Sequence, residues 1–507
     1  MLGIDKFITA MLLASTCSYG YSASEQDDFN AFRNQRQQIA DEYNAEFQRY
    51  KNQQDSEFAD FLQSQWREFD TFQGKVRIKE PKPKQIPLVK PSIPKAAPAV
   101  PKPTPPDVPP VAVVPPAPVV QPAPIIVPPP PPQPKPKPVS ADMIALSFFG
   151  NSVSFPFDPA WKRYRLSGGD KPDAMSAFWT MMSDSKYVPT IKAIDKVRQL
   201  LKLDDWGHVT LWRDVVRALQ PENQISQDLM LWYFLIKSGY DVRLGYSGSD
   251  VHLFIAVKQQ VYSTKFTNVG NQTYYAVLAA DHGDSIRSFY TYEASYPNKL
   301  KSLDIHAAST GFTKTVSAKR TLTFNSNGKK IRFNVPYDRR LVEYLSTFPQ
   351  SEFELYFDTD GSTLMRQSLL AELRKHTVNM SKEEGVNFLL EFVQQAFAYK
   401  TDDDQFGYEK YFFVEESLHF PYNDCEDRSV IFAWLVHELL GIKVVGLVYP
   451  GHMTTGVAIN ARSGFSTVDY QGNRFVIADP TYLGASVGMA MPSYEKLQPK
   501  RVVEIQY

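Results

Sequence analysis

A chain of 507 residues is too long for one simple domain and long enough for two or three. Its 55 basic and 55 acidic side chains cancel, yet the balance is uneven: Ser24–Gly74 holds eleven acids and five bases, Lys75–Pro138 ten bases and two acids. No RNA- or DNA-binding signature accompanies either block, which sets aside a nucleic-acid partner.

Residues 1–24 read as a secretory signal. Lys6 gives a positive start, "FITAMLLA" is an apolar run too short to span a bilayer, and small residues follow at Ser18, Gly20, Ser22, Ala23 and Ser24. Cleavage is expected between Gly20 and Ser24. A lipoprotein signal ending "ASTC", with Cys17 lipidated, is the rival, and Ala14 and Thr16 fit it badly. The implied location is exported, periplasmic in a Gram-negative cell. No later segment is long and apolar enough to give a transmembrane helix.

Residues 25–78 are expected to form an amphipathic helical arm. The element [DE]-F-x-x-[FY] recurs at Phe29/Phe32, Phe47/Tyr50, Phe58/Phe61 and Phe69/Phe72, with no proline or glycine between Ser22 and Gln73. Those spacings place the pairs near one helical stripe, joined by Tyr43, Leu62 and Trp66. Such a stripe asks for self-association or a partner helix. Residues 79–138 hold 25 of the 38 prolines and form a linker without a core. As polyproline II it reaches roughly 180 Å. What it connects to is not written in its composition.

From about 139 the chain reads as globular, in two parts, 139–340 and 341–507. Helical spacing ("TIKAIDKVRQLLKL", "VTLWRDVVRALQ") precedes strands ("VHLFIAV", "TYYAVLA") and a hairpin in "TLTFNSNGKKIRFNV". Helices return at "LLAELRKH" and "EEGVNFLLEFVQQAFAY".

The informative stretch is "YNDCEDRSVIFAWLVHELLGIKVVGLVYPGHMTTGVAI", Tyr422–Ile459. Asn423 or Asp424 caps a helix, with Glu426 and Asp427 at capping-box spacing and Gly441 as the stop. Cys425 then lies in the first turn, where unpaired amides and the helix dipole favour a thiolate, provided the neighbouring acids point outward. With Cys17 removed, it is a lone thiol, and an inert core cysteine is the plain alternative. His452 opens a strand after Pro-Gly, and "FVIADPTY" ends its strand at Asp479. A thiol needs a base, and the base needs a carboxylate to hold its ring.

Together these residues resemble the core of the transglutaminase-like superfamily, which shares its papain-like fold logic: a nucleophile helix on an antiparallel sheet. The match covers about 385–485. It departs where many members have Gly-Asp-Cys and His-Ala-Trp. The resemblance implies an α+β fold with Cys425 as nucleophile, His452 as base and Asp479 as orienting acid. Tyr422 is a candidate oxyanion donor beside the Cys425 amide, with Gln394 and Gln395 as rivals. His437 reads as structural or exposed. "TDDDQ" at 401–405 and "FDTDG" at 357–361 lack calcium-ligand spacing and read as solvated turns. No metal or organic cofactor is implied.

An earlier stretch, "NQISQDLMLWYFLIKSGYDVRLGYSGSDVHLFIAV", repeats the order helix, strand, strand. It places Ser226 and His252 where Cys425 and His452 stand, with Asp281 the nearest acid and none in register. It reads as a degenerate first copy, or as a chance likeness. The expected activity is an exported cysteine hydrolase or acyltransferase acting on an amide or peptide bond through a thioester, with a peptide or protein of the cell envelope as substrate. The alternative is a non-catalytic binding or scaffold protein of the envelope on the same fold.

Overall fold

The computed structural model describes residues 52–63, 66–70, 72–73, 142–166, 171–279, 283, 285–293, 295–307, 311–312 and 314–506. The signal segment with Cys17, the aromatic pairs Phe29/Phe32 and Phe47/Tyr50, and the proline-rich residues 79–138 lie outside them. The fold is mixed α+β, with antiparallel sheets that include two curled half-barrels. Among the described residues no helix is long and apolar enough to cross a membrane.

The first half-barrel is built on helix Gln224–Lys237. Asn223 caps it, its side chain accepting from the Ser226 amide at 2.8 Å. The run Leu229–Ile236 is buried along its whole length, which marks a central helix rather than a surface one. Gly239, at φ +90°, ends it in a conformation open to glycine. Strands follow in the order 66–70, 288–292, 242–247, 250–256, 272–275, 265–269, 72–73, each antiparallel to its neighbour. Both edge strands come from one short piece of chain, so the sheet curls until its edges nearly meet.

The second half-barrel carries strands 467–470, 473–478, 452–457, 444–449 and 501–504, in that order. Helix Cys425–Leu440 lies against it, backed by helix Lys382–Ala396. The central five strands of the first sheet follow the same order. One offset relates Gly239 to Gly441, Val242–Ser247 to Val444–Tyr449, and the bond from the Ala256 amide to the Asp241 carbonyl to that from Ala458 to Lys443. The two units therefore share topology and register.

Register corrects the expectation about the first unit. Asp250 pairs with Ser247 as His452 pairs with Tyr449, so Asp250 holds the histidine position. His252 pairs with Gly245 as Thr454 pairs with Leu447. Counting back from the helix-ending glycines, Asn223 matches Cys425 and Ser226 matches Arg428. The Ser226 hydroxyl donates to the Tyr164 carbonyl at 3.1 Å. Ile255 pairs with Tyr275 as Val457 pairs with Val476, so Leu278 takes the place of Asp479.

The arm is corrected as well. Residues 52–63 are helical, but 66–70 and 72–73 are strands of the first sheet. Phe58 is buried against Trp179, Trp232, Tyr292 and Tyr296. Asp55 is buried in an ion pair with Lys237, whose ammonium is ringed by Trp179, Tyr187, Tyr233 and Tyr296. Among the described residues, Phe58 and Leu62 of the stripe are buried on the body of the same chain, and a free sheet edge overrides local helical spacing after residue 63. The chain thus enters the first unit before the proline-rich segment and returns to it at 142.

The boundary at 340 also moves. The hairpin Ser317–Ser326/Lys329–Asp338, turning at Asn327-Gly328, packs Phe324 and Phe333 on Phe388 and Phe392 of helix Lys382–Ala396. It belongs to the second unit. The units join through the Tyr344 hydroxyl on Asp204 (2.6 Å), Trp206 on Thr347 (3.0 Å) and Ser351 on the Gln260 carbonyl (2.8 Å).

Candidate active site

Asp424 is the N-cap of helix Cys425–Leu440, in a capping box with Asp427, and Gly441 closes the helix at φ +62°. This end of the helix faces inward. Cys425, Asp424, Glu426, Asp427 and Arg428 are all buried. The strand pair 444–449/452–457, joined at Pro450-Gly451, delivers His452 beside the helix start. The Met453 amide, next in the chain, donates to Cys425 Sγ at 3.4 Å. His452 Nε2 meets Asp479 Oδ2 at 2.8 Å, both side chains 2 % exposed. Asp479 Oδ1 accepts from the Thr481 and Tyr482 amides at 2.9 and 3.1 Å, which fixes the carboxylate. With Nε2–H donated to it, Nδ1 is left as the lone-pair nitrogen. The Tyr494 ring stacks on the imidazole at 5.0 Å and covers it.

The thiol does not rest on the histidine. Sγ donates to Glu426 Oε2 at 2.9 Å. Burial, then the charge of Asp424, push the Cys425 thiol well above its usual range, against the opposing pull of the hydrogen bonds with Glu426 and the Met453 amide. This reverses the expectation of a thiolate favoured by the helix end. That expectation needed outward-pointing acids, and these point inward.

The three oxyanion candidates fall in different places. Tyr422 is 39 % exposed and lies under the Lys400 ammonium. Gln394 Nε2 donates to the Asp479 and Ala485 carbonyls at 3.0 and 3.1 Å, and its Oε1 accepts from Gly484 at 2.9 Å. Both its donors are thereby committed to holding the loop behind Asp479. Gln395 is exposed and bonds the Asn325 backbone in both directions. His437 lies in the last turn of the helix, half-buried and at the opposite end from Cys425.

Two residues that sequence reading passed over stand close to the sulfur. The Tyr399 hydroxyl is buried without a hydrogen-bond partner. Burial, then the charges of Cys425, Asp424 and Glu426, push its pKa up. Arg428 is buried, held through the Phe397 carbonyl, with burial lowering its pKa to about 10. A tyrosine one turn before a polar loop carries no sequence mark. It is placed by the parallel pairing of Ala398–Tyr399 with Tyr422–Asn423.

Behind the thiol the acids converge. Carboxylate oxygens of Asp402, Asp424 and Asp427 lie within 4.8 Å of one another, as do those of Asp402, Glu409 and Glu426. Asp402, expected on a solvated turn, is 2 % exposed, with Oδ2 accepting from the Lys410 amide at 2.6 Å. Asp427 Oδ1 accepts from the Phe412 amide at 2.8 Å, which ties residues 402–412 to the helix start. Comparison with protein-family models, with curated proteins and with solved structures gives no match for this chain.

Proposed function

We propose that the chain is an exported, transglutaminase-like cysteine enzyme that breaks or transfers an amide or peptide bond through a thioester on Cys425. The observation that carries this reading is the buried His452–Asp479 pair at 2.8 Å, set beside a thiol that the next residue's amide touches. In this reaction Sγ leaves Glu426, passes its proton to His452 Nδ1, and attacks the acyl carbon. The imidazolium, steadied by Asp479, returns the proton to the departing amine. The oxyanion is met by amides at the helix start, with the Tyr399 hydroxyl as the side-chain donor. Water, or an amine, then releases the acyl group from sulfur. The first unit, with Asn223, Asp250 and Leu278 at the three positions, is a copy of the same fold without the chemistry, and supports the second.

A non-catalytic scaffold in the cell envelope is the second reading. It is favoured by the thiol's complete burial and by its bond to Glu426 in place of His452. The deciding experiment exposes the native protein to reactive acyl amides and to iodoacetamide at pH 8, then maps adducts by mass spectrometry. A hydroxylamine-sensitive acyl adduct on Cys425, lost in His452→Ala, is expected. A native protein whose Cys425 takes neither reagent, yet reacts once unfolded, is a scaffold.

A further inference from the structure

We propose that the open cavity between the two units is a docking groove for the start of the chain's own proline-rich segment, residues 75–87. The cavity measures about 550 Å³. Its wall takes Tyr262, Ser263 and Thr264 from the first unit, and rings from the second, among them Phe348, Tyr408 and Tyr411. The sheet aims the chain at it. Strand 72–73 runs antiparallel to strand 265–269, with Gln73 opposite Lys265. The residues just before Lys265 are Thr264 and Ser263, and both line the cavity. A chain that leaves Gln73 along its strand direction therefore passes into the groove. Residues 74–84, at about 3.1 Å each, reach roughly 34 Å, enough to cross it.

The wall fits that segment in chemistry as well as in place. "KVRIKEPKPKQIP", residues 75–87, carries Pro81, Pro83 and Pro87, and five bases against Glu80 alone. Read as polyproline II, with about three residues per turn, it sets Pro81, Lys84 and Pro87 along one edge and Pro83 and Ile86 along the next. Such a chain has no internal hydrogen bonds, so its carbonyls need donors, and its prolines offer no N–H in return. Flat rings hold segments of this kind, because a pre-extended chain loses little entropy on docking. The groove supplies rings and a donor. Tyr408 is 61 % exposed, a large ring at the rim. Gln350, on the wall, gives its Oε1 to the Tyr411 amide and the Tyr356 hydroxyl, both at 3.4 Å, while its Nε2 is buried with no partner. Buried donors are rarely left so, and a carbonyl of the docked chain completes this one. Charge agrees. Glu409 lines the groove, its oxygens within 4.8 Å of those of Asp402 and Glu426, and the neighbouring Lys410 ammonium is taken by Glu416 at 2.8 Å. A negative wall draws a lysine-rich strand. The segment also starts beside the groove, at Gln73, which gives it a local concentration of roughly millimolar that a free partner lacks. Docked there, it clamps the two units together and covers residues 408–411, next to the Phe412 amide that holds Asp427.

Docking is independent of the acyl-transfer reading, and its test needs no turnover. Full-length protein is digested briefly with trypsin and the cuts are ordered in time by mass spectrometry. Arg77–Ile78 and Lys84–Gln85 fall within the docked stretch, whereas Lys95–Ala96 lies beyond it. We expect cleavage after Lys95 at least about tenfold faster than after Arg77 or Lys84. Tyr408→Ala, at the exposed rim and outside the buried core, should bring the three rates within about twofold of one another. Pro81→Ser, Pro83→Ser and Pro87→Ser, combined, should do the same without touching the body. A benzophenone amino acid placed at Tyr408 then identifies the occupant: the purified protein, once irradiated, should give a cross-link to residues 75–87 within a single chain. Equal rates at the three sites in the parent overturn the proposal, as does protection that survives both sets of substitutions. A covalent dimer would make a second copy the occupant and overturns it too, as does the absence of any cross-link to residues 75–87.

Discussion

The two half-barrels are the same construction closed in different ways. Each sets a capped apolar helix across five antiparallel strands in one order, with matching register and a glycine stop. They part at the helix start. In the second unit that end is sealed inside, with Cys425, Glu426, Asp427 and Arg428 all buried. In the first, Gln224 is exposed and Asn223 half-buried, so the end opens outward. Burial of a helix start costs stability, because charges lose water and must find one another. The lesson is that the scaffold fixes where three side chains stand, and the elements that close over the helix start decide what surrounds them.

The comparison breaks most directly by removing the thiol. Under the enzymatic reading, Cys425→Ala loses all acyl adduct and His452→Ala lowers turnover by roughly 10³–10⁴-fold. Asn223→Ala and Asp250→Asn, at the matching places, should stay within a few-fold. The check is adduct formation and amide hydrolysis on all four variants. Comparable losses in both units would mean that the first is no inert copy.

The second largest effect tests how the first unit is closed. Phe58, far upstream of the body in sequence, fills a pocket of four aromatic rings. Phe58→Ala should destabilise by about 3–5 kcal/mol, read from urea unfolding. Deleting residues 25–138 should unfold the first unit, whereas deleting only 79–138 should leave both intact. A stable protein after the longer deletion would show that the docked helix and edge strands are dispensable.

How much of this is legible in sequence depends on the distance between a residue and what decides its fate. The Cys425 helix was readable because its cap, its acids and Gly441 are local. So were the strands carrying His452 and Asp479, from apolar runs bounded by Pro-Gly and Asp-Pro. Whether Asp424 and Glu426 point in or out was not, since residues 402–412, bonded to Asp427, make that choice. The same contact buries Asp402, which alone reads as a surface turn. In the first unit, a Ser226–His252 spacing close to that of Cys425–His452 suggested equivalence, but cross-strand pairing at Ser247 and Asp250 sets the register differently. The arm misled because a helical stripe and a strand edge both want aromatics, and only the body supplies the edge.

Electrostatics gives a third contrast, within the first unit. His208 bonds Tyr240 at 3.0 Å and Arg198 at 3.1 Å, and burial lowers its pKa to about 3. Its unfolded value is about 6.5. A depressed histidine favours the neutral form, so its contribution is complete above pH 6.5 and is lost as pH falls towards 3. The slope is up to roughly 1.4 kcal/mol per pH unit in that window. Asp228 runs the other way. Burial raises it to about 7, so its contribution is present below about pH 3.9 and is lost as pH rises towards 7. Asp228→Asn should therefore stabilise the protein at pH 8 and matter little at pH 4. Urea midpoints of parent and variant at the two pH values test this, and an equal shift at both would show that the effect is not one of charge.

The smallest effect separates two neighbours that sequence could not. Gln394 and Gln395 are adjacent on one helix, and helical geometry turns them about 100° apart. One faces the loop that carries Asp479, the other the hairpin. The Gln394 amide ties the Asp479 and Ala485 carbonyls and the Gly484 amide together, so it holds the loop that carries Asp479 and is not itself bonded to Cys425 or His452. Gln394→Ala leaves those buried groups unpaired and should cost about 1–3 kcal/mol. Gln395→Ala, exposed and bonded to one residue of a hairpin that its own ladder holds, should cost under about 0.5 kcal/mol. Stability alone does not prove positioning. The further readout is kcat against KM for an amide substrate. A loop that lets Asp479 drift loosens the His452 ring and lowers kcat with KM little changed, and Gln394→Glu, which keeps the acceptor and removes the donors, should recover only part of the loss. Were Gln394→Ala to raise KM alone, the glutamine would be contacting substrate, and its role beside Asp479 would be binding.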